Sequence, residues 1–360
     1  MIQKQLRDTN VTGYRELLTP RKLVDELLPL SKKGKEAVLQ GREDVKKILR
    51  REDRRKLLIV GPCSIHDVNA AMEYAERLKE LSERVAGVFL VVMRVYGEKP
   101  RTSVGWKGLI NEPSLDGIIN PNEGLITMRS LLVGLANKGI ITGTEFVQLG
   151  TPQRIGDTIS WSAIGARTVE SPPHRHMASG LSMAVGFKNN TNGNVKAAID
   201  AIITAAGSHE FDGINWDGVE ATVTTKGNSD THLVLRGSEN QSNYDEESVR
   251  SVLLALAQRG LQQSLVVDCA HGNAMNSEHK KDHKLQSVAF WDLINQIMKG
   301  NEGITGVMLE SFLEEGSQKF ESRITRKEDL KYGVSITDPC IGWNETESMI
   351  LSAAKELARI

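Results

Sequence analysis

Cys63, His271, Glu310 and Asp338 offer a thiol, an imidazole and two carboxylates. Together these donors suit one divalent ion such as Mn²⁺, Fe²⁺, Co²⁺ or Zn²⁺. No local spacing links them, so the set has meaning only if the fold gathers it. A second group is cationic: Arg94, Lys99, Arg101, Lys107, Arg167, Lys188 and Arg236. Four of these follow directly on the most apolar run of the chain, in "GVFLVVMRVYGEKPRTSVGWKG" at 87–108. Cations clustered without nearby carboxylates repel one another. Such a cluster persists where a strongly anionic ligand fills it, and the planar fork of arginine matches phosphate and carboxylate. The two groups together point to metal-assisted chemistry on phosphorylated, carboxylated substrates.

The elements that must position these residues follow one rhythm of short apolar run, polar loop and amphipathic helix. The runs are 56–63, 88–96, 139–146, 162–167, 183–189, 231–237, 264–271 and 304–311. Each is near-continuously apolar, as strands covered on both faces of a parallel sheet are. Helical patterns lie between them at 67–85, 123–139, 192–209, 245–260, 283–300 and 344–360, with shorter ones at 152–160 and 171–181. Asp67 is placed as an N-cap. Eight such units predict an α/β fold of the (β/α)₈ TIM-barrel class. The competing doubly wound sheet needs a Gly-rich first turn, and "VGPCSIHD" is not one.

A barrel builds its site at the C-terminal ends of its strands. In chain order the eight runs end in Cys63, Arg94, Glu145, Arg167, Lys188, Arg236, Asp268 with His271, and Glu310. Any one of these alone is a chain reaching water or a core residue. In a barrel all eight ends converge on one mouth.

Residues 1–50 precede the barrel and are expected to form an extension that serves oligomer formation or regulation. Residues 51–360 make the catalytic barrel. Inserts fall at 210–230, read as a hairpin before the sixth strand, and at 312–340, a long loop after the eighth.

With 45 Lys+Arg against 46 Asp+Glu the net charge is −1. That balance excludes the broad basic field that nucleic acid or a membrane surface requires. The N-terminus lacks the apolar core of a signal peptide, no run approaches the length of a membrane span, and the three cysteines make no disulfide framework. A reducing, cytoplasmic setting is expected.

The motifs "GPCSIHD", "EKPRTSVGWKGLI", "SAIGARTVES", "GFKNNTNGN", "LRG" and "SITDPCIGW" closely resemble the class I 3-deoxy-D-arabino-heptulosonate-7-phosphate (DAHP) synthases of the subtype regulated by aromatic amino acids. The resemblance runs from about residue 12 to the C-terminus. It implies a transferase that condenses phosphoenolpyruvate with erythrose 4-phosphate, giving DAHP and phosphate, the first step of the shikimate pathway. By motif, Cys63, His271, Glu310 and Asp338 would hold the metal. Arg94, Lys107, Arg167, Lys188 and Arg236 would hold phosphoenolpyruvate, while Lys99, Pro100, Arg101 and Thr102 would line the erythrose 4-phosphate side. Lys99 is expected to protonate the new alkoxide, and Glu145 to orient or deprotonate the attacking water. The resemblance also implies a homodimer or homotetramer.

Four positions depart from the family pattern: Gly97 for an aromatic, Gln148 for an aspartate, Asn190 with Asn192 in "KNNTNG", and Ser238 in "LRGS". None removes a proposed ligand or cation. Gln148 is expected beside an inhibitor cavity that also holds Ser182 and Phe211, so which aromatic amino acid inhibits stays open. Cys63 and Cys340 are expected to pair oxidatively if the metal leaves. Three rivals remain: a 3-deoxy-octulosonate 8-phosphate synthase-like enzyme using a five-carbon sugar phosphate, a metal-free aldolase with Lys188 as Schiff-base nucleophile, and a non-catalytic amino-acid-binding barrel.

Overall fold

The computed structural model describes residues 8–102 and 105–359. Eight parallel strands close into a barrel: β1 (Lys56–Gly61), β2 (Phe89–Arg94), β3 (Thr142–Glu145), β4 (Trp161–Ile164), β5 (Ala184–Lys188), β8 (Thr231–Leu235), β9 (Leu265–Asp268) and β10 (Ile304–Glu310). Every neighbouring pair is parallel, and β10 returns to β1 in the register Gly61↔Glu310. The strands are buried almost throughout, which is why their sequences read as continuous apolar runs.

The missing strands in that count, β6 (Glu210–Ile214) and β7 (Glu220–Thr224), form a separate antiparallel hairpin. It is the predicted insert before the sixth barrel strand. Its burial alternates between exposed and half-buried, as expected of a ribbon with one face on the protein.

Helices return the chain between strands. The longest are α2 (Val68–Val85), α3 (Pro121–Asn137), α7 (Glu246–Gln258), α8 (Leu285–Met298) and α9 (Trp343–Leu357), numbered after α1 (Lys32–Leu49) in the extension, with α4 (Pro152–Ile155), α5 (Pro172–Ser179) and α6 (Val195–Ala206) between them. Their starts are chemically specified. Asp67 accepts from Asn69 N and Ala70 N at 2.8 and 3.1 Å, and Asp245 accepts from Ser248 N, satisfying donors that the first turn leaves free. Prolines open α3 and α5, where a missing N–H costs nothing.

The interior near the N-terminal end is a dry layer of Leu57, Ile59, Leu90, Val92, Val234, Val266 and Met308 around Trp161. Trp161 Nε1 donates to His232 Nε2 at 3.2 Å. Burial pushes that imidazole down to about 3, so it is the neutral acceptor the indole needs.

The extension, unassigned in the sequence, contains a π-helical turn at Lys22–Leu27 and α1. It reaches the hairpin: Arg21 N donates to Trp216 O, Arg21 Nε to Asp217 Oδ1 at 2.6 Å, and Trp216 Nε1 to Asp25.

Candidate active site

Five strands end on a chemically active residue: Arg94 on β2, Glu145 on β3, Lys188 on β5, Asp268 on β9 and Glu310 on β10. Arg236 follows β8 by one position, while Cys63 and Arg167 lie a few residues past β1 and β4. The ladder thus stops where the side chains must converge. Gly237 shows how tight that edge is. Its φ is +67°, and a Cβ there would meet the backbone carbon of Gly272 at 2.4 Å, so only glycine lets the β8 and β9 ends approach.

Cys63 Sγ, a Glu310 oxygen and an Asp338 oxygen lie within 4.8 Å of one another. His271 Nε2 joins from 3.6 Å to Glu310 and 3.9 Å to Asp338. His271 sits at φ +58°, a strained position that aims the ring at this cluster, and its Nδ1 is 2.9 Å from Asp268 Oδ2. A carboxylate behind an imidazole is the usual support of a metal-ligating histidine. Three negative or ionisable donors packed together, one of them 1% exposed, repel without a cation between them. The donor set and its crowding fit a divalent ion.

Cations surround the cluster. Lys99 Nζ lies 3.0 Å from Cys63 Sγ, Arg94 Nη2 3.0 Å from Glu310 Oε1, and Lys281 pairs with Asp338. Lys188 Nζ holds the fully buried Asp268 at 2.7 Å. The expectation of cations without carboxylates is therefore corrected: Arg94 and Lys188 are each neutralised by an acid from another strand, because their positive charge is buried. Burial and Glu310 push the Cys63 thiol up while Lys99 pulls it down. Burial favours neutral Asp268, yet Lys188 and His271 hold it well below the usual carboxylate range. Burial alone would lower Arg94, but Tyr96, Glu310 and Asp268 outweigh it and keep the guanidinium charged.

Glu145 is buried with Oε1 unpartnered. It backs onto Gly165, where a Cβ would sit 2.0 Å from that oxygen. Arg236 is buried, whereas Arg101, Thr102, Lys107 and Arg167 are exposed around the mouth. A cavity of about 320 Å³ gathers Lys99, Pro100, Arg101, Thr102, Lys107 and Arg167 with Glu98 and Gln148. Arg101 Nε is turned back onto Trp106 O at 2.9 Å.

A second cavity, about 670 Å³, lies between α5, the hairpin and the end of α1, and is lined by Ser182 and Phe211. Gln148 is not brought together with them. It lines the cleft beside Lys99 and donates to Asn111 at 2.6 Å; Leu149, Pro152 and Gln153 of the same loop face the larger cavity. A third cavity of about 740 Å³ opens near the N-terminal ends of β1 and β2 and takes none of the predicted site residues.

Sequence reasoning missed several contributors. Lys281, in "EHKKDH", carries no motif signal. Tyr96 lies under Arg94, whose guanidinium carbon is 4.0 Å from the ring centroid, and its buried hydroxyl has no partner. A tyrosine two residues past a strand-end arginine was the available signal. At Gly97, Met128 fills the space a side chain would take. Ser238 accepts from Asn240 N and Gln241 N to close its turn. Cys63 and Cys340 are both buried free thiols.

The molecule is thus a (β/α)₈ barrel whose mouth gathers a thiol–imidazole–dicarboxylate cluster, a candidate metal site, among cations. Comparison with known proteins is more specific. Residues 31–351 match the DAHP synthetase I family, and the chain belongs to it. It is 43% identical to the Tyr-sensitive phospho-2-dehydro-3-deoxyheptonate aldolase of Escherichia coli (strain K12), over 99% of this chain and 98% of the relative. It is 43% identical to the phenylalanine-inhibited enzyme of Saccharomyces cerevisiae, covering 97% and 93%, and 45% identical to the Trp-sensitive enzyme of Enterobacter agglomerans, covering 95% of each. The solved structure of phospho-2-dehydro-3-deoxyheptonate aldolase from Francisella tularensis SCHU S4 superposes with TM-score 0.91 at 40% identity, covering 97% of this chain and 99% of that one.

Proposed function

We propose that this chain is a DAHP synthase, condensing phosphoenolpyruvate with erythrose 4-phosphate to give DAHP and inorganic phosphate. The observation that carries the reading is the meeting of Cys63, His271, Glu310 and Asp338 with buried Arg94, Lys188 and Arg236 at one barrel mouth, in a chain of this family. Cys63, His271, Glu310 and Asp338 hold one divalent ion. When bound, that ion supplies Lewis acidity toward an aldehyde oxygen.

Arg94, Lys188 and Arg236, with Lys107 and Arg167 closing from the rim, hold the phosphate and carboxylate of phosphoenolpyruvate. Arg101 and Thr102 take the phosphate of the sugar, with Pro100 shaping the wall. Two polyanions repel in free solution; fixed cations offset that repulsion and align the reacting carbons. Carbon 3 of the enol attacks the aldehyde carbon, whose π pair moves to oxygen. Lys99 gives its proton to that oxygen. Glu145, with a free buried oxygen, takes a proton from water as the water adds at carbon 2. The tetrahedral centre then collapses to a ketone and expels phosphate by C–O cleavage.

The 670 Å³ cavity with Ser182 and Phe211 receives an aromatic amino acid inhibitor. Relatives named for tyrosine, phenylalanine and tryptophan sensitivity are similar to this chain at 43–45% identity, so global identity does not select among the three. The extension of residues 1–50, bonded to the hairpin, serves regulation and assembly of a homodimer or homotetramer in the cytoplasm. Among the described residues no helix is long and apolar enough to cross a membrane.

Steady-state turnover after chelation, with Mn²⁺, Fe²⁺, Co²⁺ and Zn²⁺ restored one at a time, tests the reading. Activity with erythrose 4-phosphate, little with arabinose 5-phosphate, and loss on chelation are expected. Preference for arabinose 5-phosphate, or full activity in chelator, would overturn it. Adding each aromatic amino acid in turn identifies the inhibitor.

A further inference from the structure

Glu98 stands between Gly97 and the proposed proton donor Lys99, yet it does not face the substrate cleft openly. It is 2% exposed, and neighbouring residues of extended chain point to opposite sides. Lys99 turns to Cys63. Glu98 turns to the loop after β3. There Oε2 accepts from Val147 N at 3.0 Å and Gln148 N at 3.4 Å, and Oε1 accepts from the buried hydroxyl of Thr151 at 2.9 Å. Besides the Lys99 side chain on Cys63, the backbone tethers here are local: Lys99 N donates to Lys107 O, and Ile110 N to Gly97 O. Glu98 is the side chain that binds this segment to the loop leading out of Glu145.

A buried carboxylate is costly unless its lone pairs are met. Here all three donors are met by one acid, and two of them are backbone N–H groups that can only donate. The two backbone donors require an unprotonated Oε2, while the Thr151 hydroxyl, which can donate or accept, meets Oε1 in either protonation state. Building on the proposed activity, we infer that Glu98 is a positioning residue, which clamps the Lys99–Thr102 segment to the β3 loop and so sets the placement of Lys99 and the sugar-phosphate side relative to Glu145.

Titration leaves the clamp in place. Burial raises the Glu98 carboxyl to about 7, against the hydrogen bonds from Val147, Thr151 and Gln148, with Glu145 adding to the rise. Protonated at Oε1, the acid still accepts from Val147 N and Gln148 N on Oε2 and donates to the Thr151 hydroxyl, so the clamp holds on both sides of that value. Other charged or titratable groups at this point are Lys99 on the same segment, Glu145 on β3, Arg101, Lys107 and Arg167 around the cleft, and His174, whose Nε2 bonds to Val147 O at 2.8 Å. Substrate ionisation and His174 are shared by wild type and any Glu98 variant, so a comparison of the two isolates Glu98.

Two substitutions separate clamp from charge. Glu98→Gln keeps an acceptor for Val147 and Gln148, can donate to the Thr151 hydroxyl, and does not titrate. Glu98→Ala removes the clamp. KM and kcat for each substrate are measured between pH 6 and 8.5 on the metal-loaded enzyme, with circular dichroism confirming the fold. At pH 8, Glu98→Ala is expected to raise KM for erythrose 4-phosphate by about tenfold, equivalent to ~1.4 kcal/mol, and to change KM for phosphoenolpyruvate less than about twofold. Glu98→Gln should restore KM to within about threefold of wild type. From pH 8 to pH 6 the wild-type to Glu98→Gln ratio of erythrose 4-phosphate KM should stay within about threefold, since the protonated acid makes the same hydrogen bonds as the amide.

A Glu98→Gln KM for erythrose 4-phosphate as high as that of Glu98→Ala, or equal rises in both KM values for Glu98→Ala, overturns the inference. If Glu98→Ala does not fold, the selective rise in erythrose 4-phosphate KM is sought in Thr151→Val, which removes one partner of the clamp, and its absence there overturns the inference. Absence of turnover in the wild type with these substrates would sink the proposed activity instead, and Thr151→Val, which removes one donor, would then be read by thermal shift: no loss of stability from it would overturn the clamp independently.

Discussion

Replacing Lys188 by methionine isolates one of the two deeply buried ion pairs of the site. The Lys188 ammonium is 4% exposed on its side chain and Asp268 is fully buried, with Nζ and Oδ2 2.7 Å apart. Methionine keeps most of the aliphatic stem, so little packing is lost. What is lost is the charge that keeps Asp268 ionised. Asp268 then retains the Ala270 N hydrogen bond at 3.0 Å, the neighbouring His271 and the charge of Arg94. Breaking a buried pair by removing one partner costs about 3–5 kcal/mol. Replacing both partners with neutral groups removes the uncompensated charge, so Lys188→Met/Asp268→Asn should recover most of that loss, ending within ~1–2 kcal/mol of wild type. Urea unfolding followed by tryptophan fluorescence reads both changes, because the slope reports the same exposed surface in each. Turnover should be absent in single and double variants alike, since Lys188 is placed on the substrate. A single variant within about 1 kcal/mol of wild type, or a double variant no more stable than the single, would refute the claim that this pair is held dry at the strand ends.

Glu98 also marks the pH dependence of stability. Its folded value near 7 lies above the ordinary 4.5, so its contribution is fully present below about 4.5 and is lost as pH rises through 7. The unfolding free energy of wild type relative to Glu98→Gln should therefore fall by about 3 kcal/mol between pH 4.5 and 8, measured by denaturant titration at each pH; a constant difference contradicts the assignment. Gly237→Ala forces a Cβ onto the Gly272 backbone at a left-handed position, and should cost about 2 kcal/mol or more together with most turnover, read by thermal denaturation and steady-state rates. Mn²⁺ at about 100 times its Kd should stabilise the chelated wild type by ~2.7 kcal/mol. Glu310→Gln should abolish that thermal shift; an equal shift in both proteins would place the ion elsewhere.

Much of the architecture was legible because a parallel barrel buries both faces of each strand. Seven of the eight barrel strands fall inside the predicted runs and β4 begins one residue ahead of its run, at Trp161; at the strand ends Cys63 lies beside Glu310, Arg94 pairs with Glu310, and Lys188 and His271 face Asp268. The hairpin was legible from a segment too short and polar to complete another strand–helix unit. What escaped has a common cause. Helix α1 and the π-helical turn belong to the extension, where no strand precedes to set the rhythm. The pairing of Arg94 with Glu310 and Lys188 with Asp268 joins strands far apart in sequence, so no local spacing announces it. Lys281, Tyr96 and Glu98 likewise matter through partners on other loops. Gln148 went to a different cavity from Ser182 and Phe211 because the short loop 147–153 faces the substrate cleft at its start and the hairpin side at its end.

The order of residues alone determined the number of strands, their burial on both faces and the kind of group at each end, because these depend on local apolar pattern and side-chain chemistry. Closure of β10 onto β1 decided the rest. It brings Glu310 beside Cys63 and Arg94, and it turns scattered acids and cations into neutralised pairs at one mouth. Electrostatic energy in a dry interior depends on separations of a few ångströms, and those distances exist only once the chain has closed.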